Sequence, residues 1–338
     1  MPLYIRETLA GFPYDRSVGA ARISRDDVER AAGVIAGRLH RTPTFSARSL
    51  ADDLHLKAEL FQRTGSFKPR GVLNKLASLT EEERAAGVIS VSAGNHAQAL
   101  AWGAAGEGID AVLVMWRDAD PAKVEATRAY GAEVDLDAVD PADAFRRLEE
   151  LRAETGRTFV HPFDDPLVIA GQGTTGREII EDLAAQGLVP DVVAVTASGG
   201  GLTAGIALAV KARAPQAMLF TAEPEGFDDH ARSFRSGQRE KNAALSGTIC
   251  DALMAQTPGE LTFAINRVLV GRGAAVSDQE VAAAVAFAFH ELKLVVEPGG
   301  AVALAALLSG KIDVKGRIAV AVLSGGNVDP ELFHRLVA

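Results

Sequence analysis

Val192-Val193-Ala194-Val195-Thr196-Ala197-Ser198-Gly199-Gly200-Gly201-Leu202 is an apolar run that breaks into a small-residue turn and resumes as an alanine-rich stretch. It reads as strand, glycine turn and helix. Successive glycines let a backbone wrap closely around a phosphate, and a helix beginning near Leu202 aims its dipole at the same point. Two further stretches repeat the pattern. Val88-Ile89-Ser90-Val91-Ser92-Ala93-Gly94-Asn95-His96 runs from a strand through a small-residue turn into a helix. Ser92, Gly94 and Asn95 lie where helix-start amides face outward, a ready anion site. Ile318-Ala319-Val320-Ala321-Val322-Leu323-Ser324-Gly325-Gly326-Asn327 is a buried strand ending in Ser-Gly-Gly-Asn. All three turns follow the carboxyl end of a strand, where open α/β sheets place their ligands.

Between these turns the chain alternates strands and helices through short connections, the pattern of a mostly parallel sheet. Val88–Val91, Ala111–Met115, Val192–Thr196, Leu219–Ala222 and Ile318–Leu323 read as strands. Arg25–Arg38, Ala97–Ala105, Ala122–Tyr130, Pro141–Thr155, Thr175–Ala185, Thr203–Ala214, Asp278–Leu292 and Ala301–Leu308 read as helices. No repeat, low-complexity stretch or flexible linker marks a boundary.

One lysine gives the turns a chemistry. Lys68 lies in Arg63-Thr64-Gly65-Ser66-Phe67-Lys68-Pro69-Arg70-Gly71, after a small, turn-compatible pair and an aromatic residue, and directly before a proline. That context suits an amine held inward. A desolvated lysine loses its proton readily and can form a Schiff base with an aldehyde cofactor. Alone, Phe-Lys-Pro is more often a solvated lysine before a helix-starting proline; beside three strand–turn–helix signals it becomes the centre of one site.

Composition narrows the class. The 338 residues can bury one large core or two smaller ones, and the 48% hydrophobic and 23% charged content is that of an ordinary globular enzyme. A net charge of −9 without any basic block argues against nucleic acid as a partner. The single Cys250 excludes an intrachain disulfide and reads as a small buried hydrophobe. Met1–Glu7 carries no apolar signal core, and stretches such as Ala282–Phe289 are too short to cross a bilayer, so the expected location is cytoplasmic, with no membrane partner.

Thr64–Lys68, Ser92–His96, His161-Pro162-Phe163-Asp164-Asp165 with Ile169-Ala170-Gly171-Gln172-Gly173-Thr174, the glycine turn and Ser324–Asn327 together resemble the serine/threonine dehydratase and serine racemase family. These are pyridoxal-phosphate enzymes of the tryptophan-synthase-β fold type. The likeness runs from about Arg41 to Asp329 in the family's order and spacing. It implies an α/β fold of two open, mostly parallel twisted sheets flanked by helices, with the cofactor in the cleft between domains. A small domain of residues 85–157 would be inserted in a large one formed by residues 1–84 and 158–338, and the assembly would be a homodimer. The chain ends soon after Asn327, so no appended regulatory domain and no feedback control through one are expected.

The resemblance also implies roles. Lys68 would hold the cofactor and then act as general base at Cα, while the cofactor serves as electron sink. Phe67 would pack near its ring, Asn95 would meet the ring hydroxyl, Glu297 would approach the ring from below, and Ser324 would face the pyridine nitrogen. A serine hydroxyl is too weak an acid to protonate that nitrogen, which favours prompt loss of a β-hydroxyl. Ser198, Gly199, Gly200, Gly201 and Leu202 would cradle the phosphate; the family has four glycines here, so Ser198 is a departure. Ser92, Ala93, Gly94 and His96 would receive the carboxylate of a small β-hydroxy amino acid. Racemases of the family carry a serine where this chain has Ala93. Alanine has no proton to exchange, so β-elimination from L-threonine or L-serine is favoured over racemisation; serine racemase and 3-hydroxyaspartate dehydratase are the alternatives within the family. In Ala222-Glu223-Pro224-Glu225-Gly226-Phe227-Asp228-Asp229, the side chains of Glu223 and Asp229 and the Phe227 carbonyl match a divalent-metal loop suited to Mg²⁺ or Ca²⁺. A nicotinamide dehydrogenase would need Gly-x-Gly-x-x-Gly, which the turn at 199–201 lacks, and would leave Lys68 without a task. A non-catalytic relative would commonly have lost that lysine.

Overall fold

The computed structural model describes residues 23–47 and 53–338; Met1–Glu7 lies outside them. In chain order the strands are β1 (Thr44–Ser46), β2 (Leu54–Ala58), β3 (Val88–Val91), β4 (Ala111–Trp116), β5 (Glu133–Ala138), β6 (Thr158–Phe159), β7 (Val192–Thr196), β8 (Met218–Pro224), β9 (Gly273–Val276) and β10 (Ala319–Leu323). The first helices are α1 (Arg25–Ile35), α2 (Pro69–Leu76), α3 (Glu81–Ala86), α4 (Asn95–Glu107), α5 (Pro121–Ala129), α6 (Pro141–Thr155) and α7 (Pro166–Ala184). They are followed by α8 (Gly201–Arg213), α9 (Asp229–Ser236), α10 (Glu260–Leu269), α11 (Asp278–His290), α12 (Pro298–Leu308) and α13 (Pro330–Val337).

These strands form two sheets. Six make the larger one, in the order β1-β2-β10-β7-β8-β9, and four make the other, in the order β5-β4-β3-β6. Every neighbouring pair is parallel except β1 with β2. The fold is the α/β arrangement of mostly parallel sheets that the alternating pattern predicts. The central strands β2, β7 and β10 are buried at every position, as expected of parallel strands covered by helices on both faces.

Register decides where the chemistry can stand. Ala319 of β10 aligns with Leu54 of β2 and Val192 of β7, and Thr196 of β7 aligns with Ala222 of β8. The carboxyl ends of these strands therefore share one edge. The polypeptide leaving that edge carries the Lys68 segment, the glycine turn, the acidic loop and Ser324. In the second sheet the turn after β3 feeds α4.

Helices close over the sheets through small residues. A Cβ on Gly171 of α7 would come within 2.4 Å of the Arg70 carbonyl, and one on Gly205 of α8 would lie 2.4 Å from the Ile169 carbonyl. The Ile169–Thr174 stretch is thus a helix surface pressed against α2 and α8, which accounts for its glycines. Helix α12, apolar on all sides, is buried from Pro298 through Leu307. Cys250 is fully buried, and burial pushes its thiol up to about 12, which makes it an inert packing residue. Among the described residues no helix is long and apolar enough to cross a membrane.

Candidate active site

Lys68 is the N-cap residue of α2, with Pro69 at the first helical position, where a missing N–H costs nothing. Its Nζ donates to the Pro162 carbonyl at 2.8 Å and stands 5.2 Å from the centroid of the Phe67 ring. The residue as a whole is half-buried. Burial of the amine nevertheless pushes its pKa down to about 8, against an upward pull from Glu297. Thr64, four residues earlier, holds a left-handed φ of 58°, which strains a β-branched residue by about 1–3 kcal/mol.

The Lys68 segment is stitched to the turn after β10. Ser66 bridges Gly325, Phe67 N donates to the Ser324 carbonyl at 3.1 Å, and Gly326 N donates to the Gly65 carbonyl at 2.9 Å. Ser324 is buried there, at the end of β10. Glu297, the N-cap of α12, joins the same cluster: its backbone N–H donates to the Gly325 carbonyl at 3.1 Å. Its carboxylate accepts from Asn95 Nδ2 at 2.7 Å, and Asn95 Oδ1 accepts from Asn327 Nδ2 at 2.8 Å. Burial pushes the Glu297 carboxyl up to about 7.

Asn95 opens α4, behind a Gly94 N-cap, so the amides of this first turn have no acceptor within the helix. Gly94 N donates to Ser92 Oγ at 3.2 Å, and Ala93 lies half-buried beside it. The imidazole of His96 points elsewhere. Its Nε2 sits 3.1 Å from both Ser90 Oγ and the Val160 carbonyl, and burial, helped by the positive Lys68, holds it well below the ordinary histidine range. What His96 offers at the helix start is its backbone amide.

The turn before α8 fits a phosphate. Its carbonyls are tied back: Gly199 O accepts from Gly259 N and from Thr262 Oγ1 at 2.6 Å, and Gly200 O accepts from Asn266 Nδ2 at 3.1 Å. Because a trans peptide's N–H points opposite to its C=O, this turns the amides of Gly200 and Gly201 the other way, toward the head of the helix. Gly200 has a φ of +93°, and a Cβ on Gly199 would come within 2.3 Å of the Phe163 ring. Only glycine suits those two places. Ser198, the departure from four glycines, fits because its Oγ accepts from Ala255 N at 3.2 Å.

The acidic loop runs into α9. Glu223 is fully buried, and its two oxygens accept from the amides of His230 and Ala231 at 2.7 and 2.9 Å. Asp229 is also fully buried; one oxygen accepts from Asn242 Nδ2 at 2.9 Å and the other meets no partner. Burial raises both carboxyls, Asp229 to about 7 and Glu223 well above its usual range, where Asp229 adds to the effect. Phe227 is buried between them in sequence. Among the described residues no cluster of three or more His, Cys, Asp or Glu side chains could hold a metal, so any cation here would rely on two carboxylates and a backbone carbonyl.

One set of site residues escaped assignment from sequence. His161–Asp165 joins the lysine to the glycine turn: Pro162 supplies the carbonyl for Lys68, and Phe163 packs its ring on Gly199. Asp164 accepts from the amides of Glu260 and Thr262, and Asp165 caps α7 while pairing with Lys75 at 2.8 Å. Asp165-Pro166 is a readable helix start. A backbone carbonyl aimed at an amine leaves no mark in sequence.

Comparison with known proteins agrees with this geometry. Residues 35–325 match the family model described as pyridoxal-phosphate dependent enzyme. An L-threonine ammonia-lyase of Thermotoga maritima is 40% identical over 321 residues, covering 93% of this chain and 78% of that protein. A solved threonine deaminase, from T.th., superposes with a TM-score of 0.85 at 40% identity, covering 90% of this chain and 99% of that one. Maize serine racemase superposes with a TM-score of 0.87 at 34% identity, over 93% and 97% of the two chains.

Proposed function

The chain belongs to the family of pyridoxal-phosphate-dependent enzymes, and we propose that it is an ammonia-lyase acting on L-threonine and L-serine. The reaction removes the α-proton and β-hydroxyl as water; a water then hydrolyses the resulting imine, releasing ammonia and leaving 2-oxobutanoate from threonine or pyruvate from serine. The observation that carries this reading is the Lys68 amine, donating at 2.8 Å to the carbonyl of Pro162, whose neighbour Phe163 packs on the glycine turn.

Pyridoxal phosphate, when bound, supplies an aldehyde for the lysine and an electron sink for the pair released at Cα. The residues around it divide the remaining work. The Ser198–Leu202 amides would hold the phosphate, Asn95 the ring hydroxyl and Ser324 the ring nitrogen, with Phe67 and Glu297 flanking the ring. The Ser92–His96 turn would bind the substrate carboxylate through the Ser92 hydroxyl and the amides at the start of α4 that no protein acceptor takes, and so orient the Cα–H bond. Lys68 Nζ would take the α-proton; an amine poised near neutrality is suited to both accepting and returning it. Ala93 offers no second proton donor, which disfavours racemisation.

The finer points of the reading rest on the family resemblance: residues 85–157 as an inserted unit with β6 just past its edge, a homodimer, and the cytoplasm as location. Glu223, Asp229 and the Phe227 carbonyl would hold Mg²⁺ or Ca²⁺ in a structural role, their buried carboxylates being otherwise short of positive charge. Magnesium should then raise the melting temperature of the parent protein but not of Glu223→Gln. Equal response of the two would return the loop to an acidic turn.

Keto-acid release from L-serine, L-threonine, D-serine and L-threo-3-hydroxyaspartate tests the activity. The expected result is turnover of the L-β-hydroxy acids that falls at least about a thousandfold in Lys68→Ala. Interconversion of L- and D-serine without keto acid would replace the lyase by a racemase.

A further inference from the structure

His230 is the second residue of α9, directly after Asp229, and the proposed chemistry gives it no task. It is fully buried, and neither ring nitrogen has a hydrogen-bond partner. Its position is specific. A Cβ on Gly200 would lie 2.6 Å from His230 Cε1 and 2.7 Å from Nε2, so the imidazole rests directly against the glycine whose φ is +93°. Asn266 Nδ2 closes on the same glycine, 2.8 Å from that Cβ position, while donating to the Gly200 carbonyl. Phe163 covers Gly199 from another direction. The turn is therefore backed by a buried ring whose main chain is anchored, the His230 N–H donating to Glu223 Oε1 at 2.7 Å.

Space alone does not call for histidine there. A phenylalanine or leucine would fill the volume without burying two unpaired polar atoms, a cost that native proteins rarely bear without cause. A backbone group of Ser198 is the neighbour placed to meet the ring, short of hydrogen-bonding geometry. Ser198 is also where this turn departs from four glycines.

We propose that His230 is a positioning residue for the phosphate turn: its imidazole buttresses Gly200, and its ring N–H takes the Ser198 carbonyl when the turn's amides close on a phosphate. The inference rests on the reading of Ser198–Leu202 as a phosphate seat, and it gives α9 a part in cofactor affinity without contact with the reacting atoms.

Pyridoxal phosphate and pyridoxal separate this role from a merely structural one, since only the first needs the turn. Both are titrated into the cofactor-free full chain, following the absorbance of the lysine-bound aldehyde. His230→Phe should raise the dissociation constant for pyridoxal phosphate about tenfold. It should leave that for pyridoxal unchanged and move the ³¹P resonance of the bound phosphate. His230→Gln, which keeps an N–H near the Nε2 position, should recover part of the affinity, and it serves as the primary variant if the phenylalanine form does not fold. Equal losses for the two aldehydes, or no loss for either, would overturn the proposal. A parent protein that binds pyridoxal phosphate no better than pyridoxal would instead sink the phosphate seat itself.

Discussion

At the scale of the residue, the site turns on how far an amine can be kept from water while still able to react. Desolvation lowers the pKa of Lys68 from the ordinary 10.5 to about 8, and the Glu297 carboxylate prevents a larger fall. Between those two values the folded chain holds a neutral amine while the unfolded chain still binds a proton. The contribution of Lys68 to stability therefore rises with pH across that window and is least below pH 8. Reaction with an aldehyde requires the neutral form. The rate at which the cofactor-free protein captures pyridoxal phosphate should climb about tenfold per pH unit at lower pH and level off near pH 8. Stopped-flow absorbance gives the midpoint, and a plateau reached only near 10.5 would mean the amine is solvated. Lys68 was legible in sequence because its neighbours are turn, aromatic and proline. The Pro162 carbonyl that fixes its Nζ was not, since the two are brought together by folding and not by any local pattern.

At the scale of the element, legibility depended on whether side chains advertise their burial. Strands β3, β7 and β10 are runs of apolar residues and read directly. Strand β2, Leu54-His55-Leu56-Lys57-Ala58, does not, because His55 and Lys57 suggest an exposed face; both are buried. Helix α7 begins at Pro166, well before the Thr175 start that sequence suggests, because its glycines read as breakers. Here they are contact points. That reverses the usual sign of a helix substitution. Gly→Ala in an exposed helix gains about 1 kcal/mol, but the Cβ of Gly205→Ala would meet the Ile169 carbonyl at 2.4 Å and the Gly173 amide nitrogen at 2.5 Å. Backbone atoms cannot swing aside, so α7 and α8 must part. Chemical denaturation should show a loss of about 1–3 kcal/mol; a gain would show that the two helices have room to yield.

At the scale of the whole molecule, the lysine-bearing helix is joined to the sheet and to α7 by a buried ionic cluster. Arg70, two residues after Lys68, is fully buried and donates from Nε and one terminal nitrogen to the two Glu59 oxygens at 2.7 and 2.8 Å. Its guanidinium also reaches both Glu178 oxygens at 2.8 Å, and Lys57 Nζ donates to Glu178 and the Thr42 carbonyl at 2.7 Å. Two buried cations thus face two buried carboxylates, with the partly exposed Asp182 3.8 Å from Lys57 at the edge; they are drawn from β2, the turn after it, α2 and α7, so no segment of sequence displays the cluster. Its balance makes a sharp expectation. Arg70→Met leaves two buried carboxylates against one cation and should cost about 3–5 kcal/mol. Glu59→Gln alone leaves two cations against one carboxylate and should also be costly. The double variant restores one charge of each sign, so it should be more stable than the sum of the single losses predicts, and more stable than Arg70→Met itself. Denaturation midpoints of the four proteins, measured without cofactor, give the coupling directly. Strictly additive losses would mean that hydrogen-bond geometry and packing, and not charge balance, hold Lys68's helix against the sheet.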